Sequence, residues 1–210
     1  MIVVFDLDGT LIDSTERHCL LMESLLRENR IELPQSFCKD FLHCKAEGYS
    51  GKYYLEYRLG LNDIITNKII NKWTDNIEKD RWLLRDRLYD DALEICESVF
   101  RRGNIIYYLS SRQNKAGAIN EIKRLKLDSY SVKNIIINPR GKVKKEDILI
   151  DIKKTQSDCL MVGDTEVDYQ AAMIAKTHYF ILNRGFRNKN YWDKKGVKSF
   201  ESLCALISQL

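Results

Sequence analysis

The chain has 210 residues, 44% of them hydrophobic and 30% charged, with a formal net charge of +4. That length buries a substantial core, as one domain with a large insertion or as two small domains. No apolar run approaches the roughly 20 residues of a bilayer span, so no membrane partner is expected. The mild positive charge fits an anionic substrate and is weak evidence for nucleic acid.

The first apolar run, Ile2 to Phe5, is too short for a helix and rich in β-branched residues, so it reads as a buried strand. It starts at once, leaving no room for a signal peptide. It ends in Asp6-Leu7-Asp8-Gly9-Thr10, two carboxylates one residue apart, then a glycine and a hydroxyl. Residues 15–29 read as a helix with Ser14 as N-cap. From 32 to 82 apolar and aromatic residues recur at helical spacing, as in Ile64, Ile65, Ile69, Ile70 and Trp73, and no strand stands out. Residues 85–102 read as another helix, with Ala92, Cys96 and Val99 on its apolar side and Gly103 as its stop.

An alternation follows: strands at 105–109, 134–137, 159–162 and 179–182, and helices at 115–125, 146–154, 167–175 and 200–210. Such alternation builds a parallel sheet with helices on both faces. Because the first strand opens the chain and the alternation resumes near residue 104, the helical block between them is an insertion. The six cysteines (Cys19, Cys38, Cys44, Cys96, Cys159 and Cys204) form no CxxC pair, and read as reduced thiols of a cytoplasmic protein.

In an open α/β sheet, ligands bind beyond the carboxyl ends of the strands. Asp6 and Asp8 stand at one such end, Ser110-Ser111-Arg112 at another, and Gly163-Asp164-Thr165-Glu166-Val167-Asp168 at a third. Each group has a plainer reading as turn, helix cap or helix-dipole acid. Gly141-Lys142-Val143-Lys144-Lys145 precedes a helix and offers an ammonium to the same edge or to solvent. Together the pieces describe one chemistry. Two carboxylates so close resist joint ionisation, and a cation or a shared proton relieves them. Hard oxygen donors in this number suit Mg²⁺, and the cation neutralises a bound phosphate as well. An ionised Asp then attacks phosphorus, while hydroxyl and ammonium donors stabilise the charge on the phosphoryl oxygens.

With these residues in order, the chain resembles the haloacid dehalogenase-like hydrolases, and within them the phosphoglycolate phosphatase-like branch with a helical cap after the first strand. The resemblance implies a Rossmann-like three-layer α/β sandwich with a central parallel sheet, built from residues 1–13 and 84–210, and a small helical cap at 14–83. It implies a Mg²⁺-dependent phosphatase acting on a small phosphorylated metabolite through an aspartyl-phosphate. Asp6 is then the nucleophile. Asp8 protonates the leaving oxygen, then activates water, and its main-chain carbonyl joins Asp6 and Asp164 on the metal. Asp168 supports the metal site. Ser110 binds the phosphoryl group, with Ser111 beside it, and Thr10 orients Asp8 or contacts the phosphate. The chain departs from the branch in lacking a Lys-Pro pair at the third motif: Lys142 takes the family's position best, and Lys145, at the helix start, is its rival. Arg112 follows the second motif, where relatives place Asn or Gly, and either adds a donor or faces water.

Asp8 itself favours phosphoryl transfer over dehalogenation, which has no leaving oxygen to protonate. In the cap, Lys45, Tyr49 and Lys52 are candidates to face the substrate. His43 reads as a surface or packed side chain, and Tyr53, Tyr54 and Tyr57 as cap core. A phosphomutase of the β-phosphoglucomutase type, a nucleotidase and a non-catalytic binding protein stay open as alternatives, as do monomer and homodimer.

Overall fold

The structure is a computed structural model that describes residues 1–209. The chain opens with strand β1 (Ile2–Phe5) and a two-residue strand β2 (Ile12–Asp13). A helical stretch follows: α1 (Thr15–Glu28), α2 (Phe37–Ala46), α3 (Gly51–Tyr53) running into a π-helical turn at Tyr54–Arg58, α4 (Asp63–Asn76) and α5 (Asp80–Leu83). Strand β3 (Arg87–Leu88) then pairs antiparallel with β2, so the helical insertion leaves and re-enters the sheet layer through a two-stranded ribbon.

The rest alternates: α6 (Ala92–Arg101), β4 (Ile105–Ser111), α7 (Lys115–Arg124), β5 (Ser131–Ile137), α8 (Lys145–Thr155), β6 (Cys159–Gly163), α9 (Glu166–Ala175), β7 (His178–Leu182), α10 (Lys189–Lys194), β8 (Ser199–Phe200) and a 3₁₀ turn at Leu203–Gln209. Six of the strands form one sheet in the order β5-β4-β1-β6-β7-β8, and all its pairings are parallel.

The period of two along β1 divides its side chains between two cores. Val3 and Phe5 pack with Ile95 and Val99 of α6, Ile122 of α7 and Leu203 and Leu206 of the last turn. Ile2 and Val4 face the other way, toward Leu149 and Ile152 of α8 and Ala171, Ala172 and Ala175 of α9. Both faces of the sheet are therefore covered, which is why the central strands read as unbroken apolar runs. The helical insertion encloses a core of its own, with Leu21, Met22, Leu26, Phe41, Leu55 and Ile69 fully buried.

Four expectations need correction. The helix expected from residue 85 begins only at Ala92. The segment before it is extended because Arg87 and Leu88 pair with β2, and the Tyr89 amide donates to Leu11 O at 3.1 Å. The strand expected at 134–137 starts at Ser131; its opening residues Ser131 to Lys133 are solvated because β5 is a sheet edge. The last helix is absent among the described residues. Ser199 and Phe200 extend the sheet beside β7, the chain ends in a 3₁₀ turn, and Leu210 lies outside the described residues. Finally, Cys19 and Cys38 are joined in a disulfide across the α1–α2 contact, their Cα atoms 5.5 Å apart. That tertiary neighbourhood is invisible in cysteine spacing. The bond removes the argument for a reducing, cytoplasmic setting, although Cys44, Cys96 and Cys159 remain buried free thiols. No helix among the described residues is long and apolar enough to cross a membrane.

Candidate active site

The sheet order sets β4, β1 and β6 side by side, so their carboxyl ends deliver Ser110, Asp6 and Asp164 to one edge. The register is tight there: the Asp6 amide donates to Val162 O at 2.9 Å. Gly9 turns the chain below the acids at φ +75, and a Cβ added to it would stand 2.2 Å from Asp164 Oδ2. Only glycine fits both the left-handed backbone and the approach.

Asp6, Asp164 and Asp168 are buried and bring carboxylate oxygens within 4.8 Å of one another. Lys145 opens α8, whose start is fixed by the Asp147 carboxylate accepting the Lys144 amide at 2.8 Å. Its Nζ enters the cluster, 2.8 Å from Asp6 Oδ1 and 2.6 Å from Asp168 Oδ1. The other oxygen of Asp168 accepts from the Thr165 amide at 3.1 Å and its hydroxyl at 2.8 Å, capping α9. Asp168 thus holds Lys145 and helix α9 at once. Lys142 is exposed on the loop before α8 and makes no ion pair with the described residues. Of the two candidate lysines the structure brings in Lys145, because the chain needs three more residues after the Pro139–Gly141 turn to reach the acids.

Burial, opposed by Lys145 and reinforced by Asp168, pushes the Asp6 carboxyl up to about 7. Asp164 is raised well above the usual range by burial, then by Asp168 and Asp6. Its neutral partners are the Phe186 amide at 3.1 Å and the Thr10 hydroxyl at 3.5 Å. Thr10 is therefore packed against Asp164 and does not line the cleft. Lys145, despite its burial, is held above its ordinary value by Asp168 and Asp6.

Asp8 behaves differently. Its carboxylate lies between two guanidinium groups, 2.6 Å from Arg17 Nη2 and 2.7 Å from Arg112 Nε. Burial opposes its charge, but Arg112 and Arg17 win and hold it below the carboxylate range. Each arginine is backed by an acid, Arg17 by Asp86 at 3.1 Å and Arg112 by Glu121 at 3.0 Å. Arg112 therefore does not face water. Arg17 escaped the sequence reading because it sits in the first turn of α1, where a lone arginine looks like a solvated helix face.

The acids open into a cleft of about 500 Å³ whose walls include Asp6, Asp8, Ser110, Ser111, Lys145 and Phe186. Lys45 approaches from the insertion: its Nζ lies 3.0 Å from His18 Nδ1 and 4.5 Å from the Phe186 ring centroid. Tyr49 and Lys52 stay on the outside. Tyr49 stacks on Tyr53 at 4.3 Å and Lys52 pairs with Glu56 at 3.4 Å. His43 is exposed beside Glu47, Tyr54 is buried, and Tyr57 is 72% exposed instead of packed in a core.

A cluster of hard oxygen donors, one of them a buried acid paired only with neutral groups, fits a divalent cation. Asp6 offers the oxygen that Lys145 leaves free and Asp164 two oxygens that meet only neutral donors, whereas the Asp8 carboxylate is occupied by its arginines and leaves only its main-chain carbonyl.

Comparison with known proteins gives this arrangement a family. Residues 1–175 match the haloacid dehalogenase-like hydrolase family. Among solved structures, the fold is similar to a predicted phosphatase from Clostridium acetobutylicum, at a TM-score of 0.73 and 19% identity over 99% of this chain and 96% of that one. It is similar to a haloacid dehalogenase-like family protein from Streptococcus pneumoniae, at 0.75 and 15% over 99% and 97%. A predicted phosphoglycolate phosphatase from Haemophilus somnus superposes at 0.70 with 18% identity over 99% and 96%. At these identities the structural likeness speaks for the fold alone. No curated protein matches the chain in sequence. The family match spans most of the chain and contains the whole acid cluster, and the chain belongs to the haloacid dehalogenase-like hydrolases.

Proposed function

We propose that the protein is a phosphatase that hydrolyses a small phosphorylated metabolite through a phosphoryl group carried on Asp6, with Mg²⁺ as its cation. The observation that carries this reading is the pairing of Asp6 with Lys145 at 2.8 Å in a cleft that also presents Ser110. An ester phosphate entering that cleft meets a carboxylate oxygen as nucleophile and two donors for the oxygens on which charge is spread. Asp6 and Asp164 would hold the cation, which supplies charge neutralisation for the acids and the phosphate together.

Asp6 attacks phosphorus and the ester bond breaks. Asp8, ionised at rest by Arg112 and Arg17, takes up a solvent proton when the ester binds and gives it to the departing alcohol oxygen. It then takes one from the water that attacks the phosphorus of phosphoryl-Asp6, which frees inorganic phosphate and restores the Asp6 carboxylate. Arg17 and Arg112 favour the ionised Asp8, the form that acts as base in the second half. Asp168 keeps the Lys145 ammonium aimed at the phosphoryl oxygens.

The test is phosphate release from an aryl phosphate, with Mg²⁺ and with chelator, for the wild type and for Asp6→Asn. Release that needs the cation and falls by on the order of 10⁴-fold or more in Asp6→Asn supports the reading. Full activity in Asp6→Asn, or in excess chelator, contradicts it.

A further inference from the structure

Helix α9 reverses the usual pattern of a surface helix. The face it turns to the core is small: Ala171, Ala172 and Ala175 are buried there, with Asp168 at the head of the same stripe. Its large apolar side chains lie outside that stripe, Val167 at 48% exposure and Ile174 at 58%, with Met173 between them. An amphipathic helix ordinarily buries such residues and exposes polar ones. Val143, on the loop before α8, is half exposed as well.

The cleft above the acids gives these side chains a use. It does not end at Ser110 and Lys145. The same cavity runs on as a furrow, walled by Val143, Lys144 and Glu146 on the α8 side and by Val167, Gln170 and Ile174 on the α9 side. Val167 stands in the first turn of α9, next to Asp168, and Ile174 lies two turns further along. The furrow therefore offers apolar surface for roughly 10 Å beyond the acids. Its two charges, Lys144 and Glu146, are of opposite sign, so nothing in it calls for a second anion. Exposed apolar side chains continuous with a reaction cleft mark a ligand groove. A protein seated on them would cover the mouth through which an ester enters. The alcohol half of the ester itself fills the furrow only while its phosphate stands on the acids.

We propose that this furrow binds the alcohol half of the substrate, and that the preferred ester is the phosphate monoester of an apolar alcohol, selected by Val143, Val167 and Ile174. The proposal rests on the phosphatase reading above and names the substrate class for that same site. An extended chain advances about 1.2 Å per bond, so a linear tail of about eight carbons covers the furrow. A methylene laid in an open furrow loses about half its contact with water, which gives roughly a twofold gain in binding per carbon. The tail is held alike before and during the reaction, so the gain falls on KM and leaves kcat nearly constant.

The experiment measures phosphate release from propyl, hexyl and octyl phosphate, with an aryl phosphate as reference, at saturating Mg²⁺ and below the concentration at which octyl phosphate forms micelles. It uses the wild type, Ile174→Ser, the double variant Val167→Ser/Ile174→Ser, and Ile64→Ser as control. Ile64 is 82% exposed on α4 and lines neither the cleft nor the furrow. The expected result in wild type is a kcat/KM at least about tenfold higher for octyl than for propyl phosphate, carried by KM. The ratio should fall in Ile174→Ser, fall to within about threefold in the double variant, and persist in Ile64→Ser. Every substituted side chain is exposed, so the variants fold. A flat chain-length series in wild type, a rise that survives the double substitution, or cleavage of the aryl phosphate with none of the alkyl esters overturns the furrow and leaves the phosphatase reading intact. Failure to cleave any ester, the aryl phosphate included, overturns both.

Discussion

Asp6 and Asp8 are two residues apart and chemically alike, yet the fold gives them opposite environments. Asp6 meets one ammonium among acids, Asp8 two guanidinium groups. The first environment suits a group that gains from a bound cation, the second a group that stays ionised alone. Lys145 is the residue on which the Asp6 side depends. Replacing it with Met leaves Asp6 facing Asp168 without a counter-charge, and steady-state hydrolysis should fall by about 10²–10³-fold at saturating cation. Lys142→Met should leave the rate within about twofold, because its side chain lies in solvent; equal losses in both variants would contradict the assignment. Gly9→Ala adds a Cβ at φ +75 and 2.2 Å from Asp164. It should cost at least about 1–2 kcal/mol in denaturant unfolding, with weaker cation binding beside it; a neutral effect on both would show that the approach is not as close as described.

Between elements, the insertion is seated on the sheet edge by polar contacts that cross the seam. Arg17 of α1 reaches Asp8, Glu78 caps the Gln113 and Asn114 amides, and Arg187 and the Asn188 amide hold the carbonyls of Lys45 and Ala46 at the end of α2 at 3.0 and 2.9 Å. The Cys19–Cys38 bond ties α1 to α2, the two helices that carry Arg17 and Lys45, over a sequence separation of 19. A loop of that size is worth about 3 kcal/mol through the unfolded chain. Reduction, or Cys38→Ser, should therefore lower the melting temperature by several degrees, and an unchanged melt would mean that the bond is not formed in solution.

At this scale the limits of the sequence are also clear. Strands buried on both faces were legible from Ile2 to Phe5 and from Cys159 to Val162 because their apolar runs are short and end in acids. Ser131 to Lys133 was not, because an edge strand is solvated and reads as a loop. The acids were legible as a set because Asp6 and Asp164 directly follow strands β1 and β6, and Asp8 and Asp168 come within four residues of these two acids. The choice of Lys145 over Lys142 depends on how many residues the Pro139–Gly141 turn consumes, and Arg17 on a helix crossing the seam, neither of which is a local property of the chain.

For the whole molecule, the acid cluster couples protons, cation and stability. Asp6 is raised from 3.8 to about 7 in the cation-free fold, and Asp164 is raised as well. Folding binds these protons more tightly than the unfolded chain does. The stabilising contribution of Asp6 is complete below the unfolded value near 3.8 and is lost as pH climbs toward about 7, and that of Asp164 changes in the same direction. The cation-free protein should thus lose stability over that window, and saturating Mg²⁺ should restore it most at its upper end. Calorimetry in buffers of different ionisation heat should record protons released on cation binding below pH 7, and an affinity that rises with pH. An affinity independent of pH would place the cation away from these acids.

The central claim is that Asp6 carries the phosphoryl group. Acid quench of the enzyme during turnover of an aryl phosphate with Mg²⁺, followed by peptide mass spectrometry, tests it directly. A phosphoryl adduct on the peptide bearing Asp6, absent in Asp6→Asn and without substrate, is the result this structure predicts. Steady turnover with no adduct on Asp6, or an adduct on another residue, would contradict it.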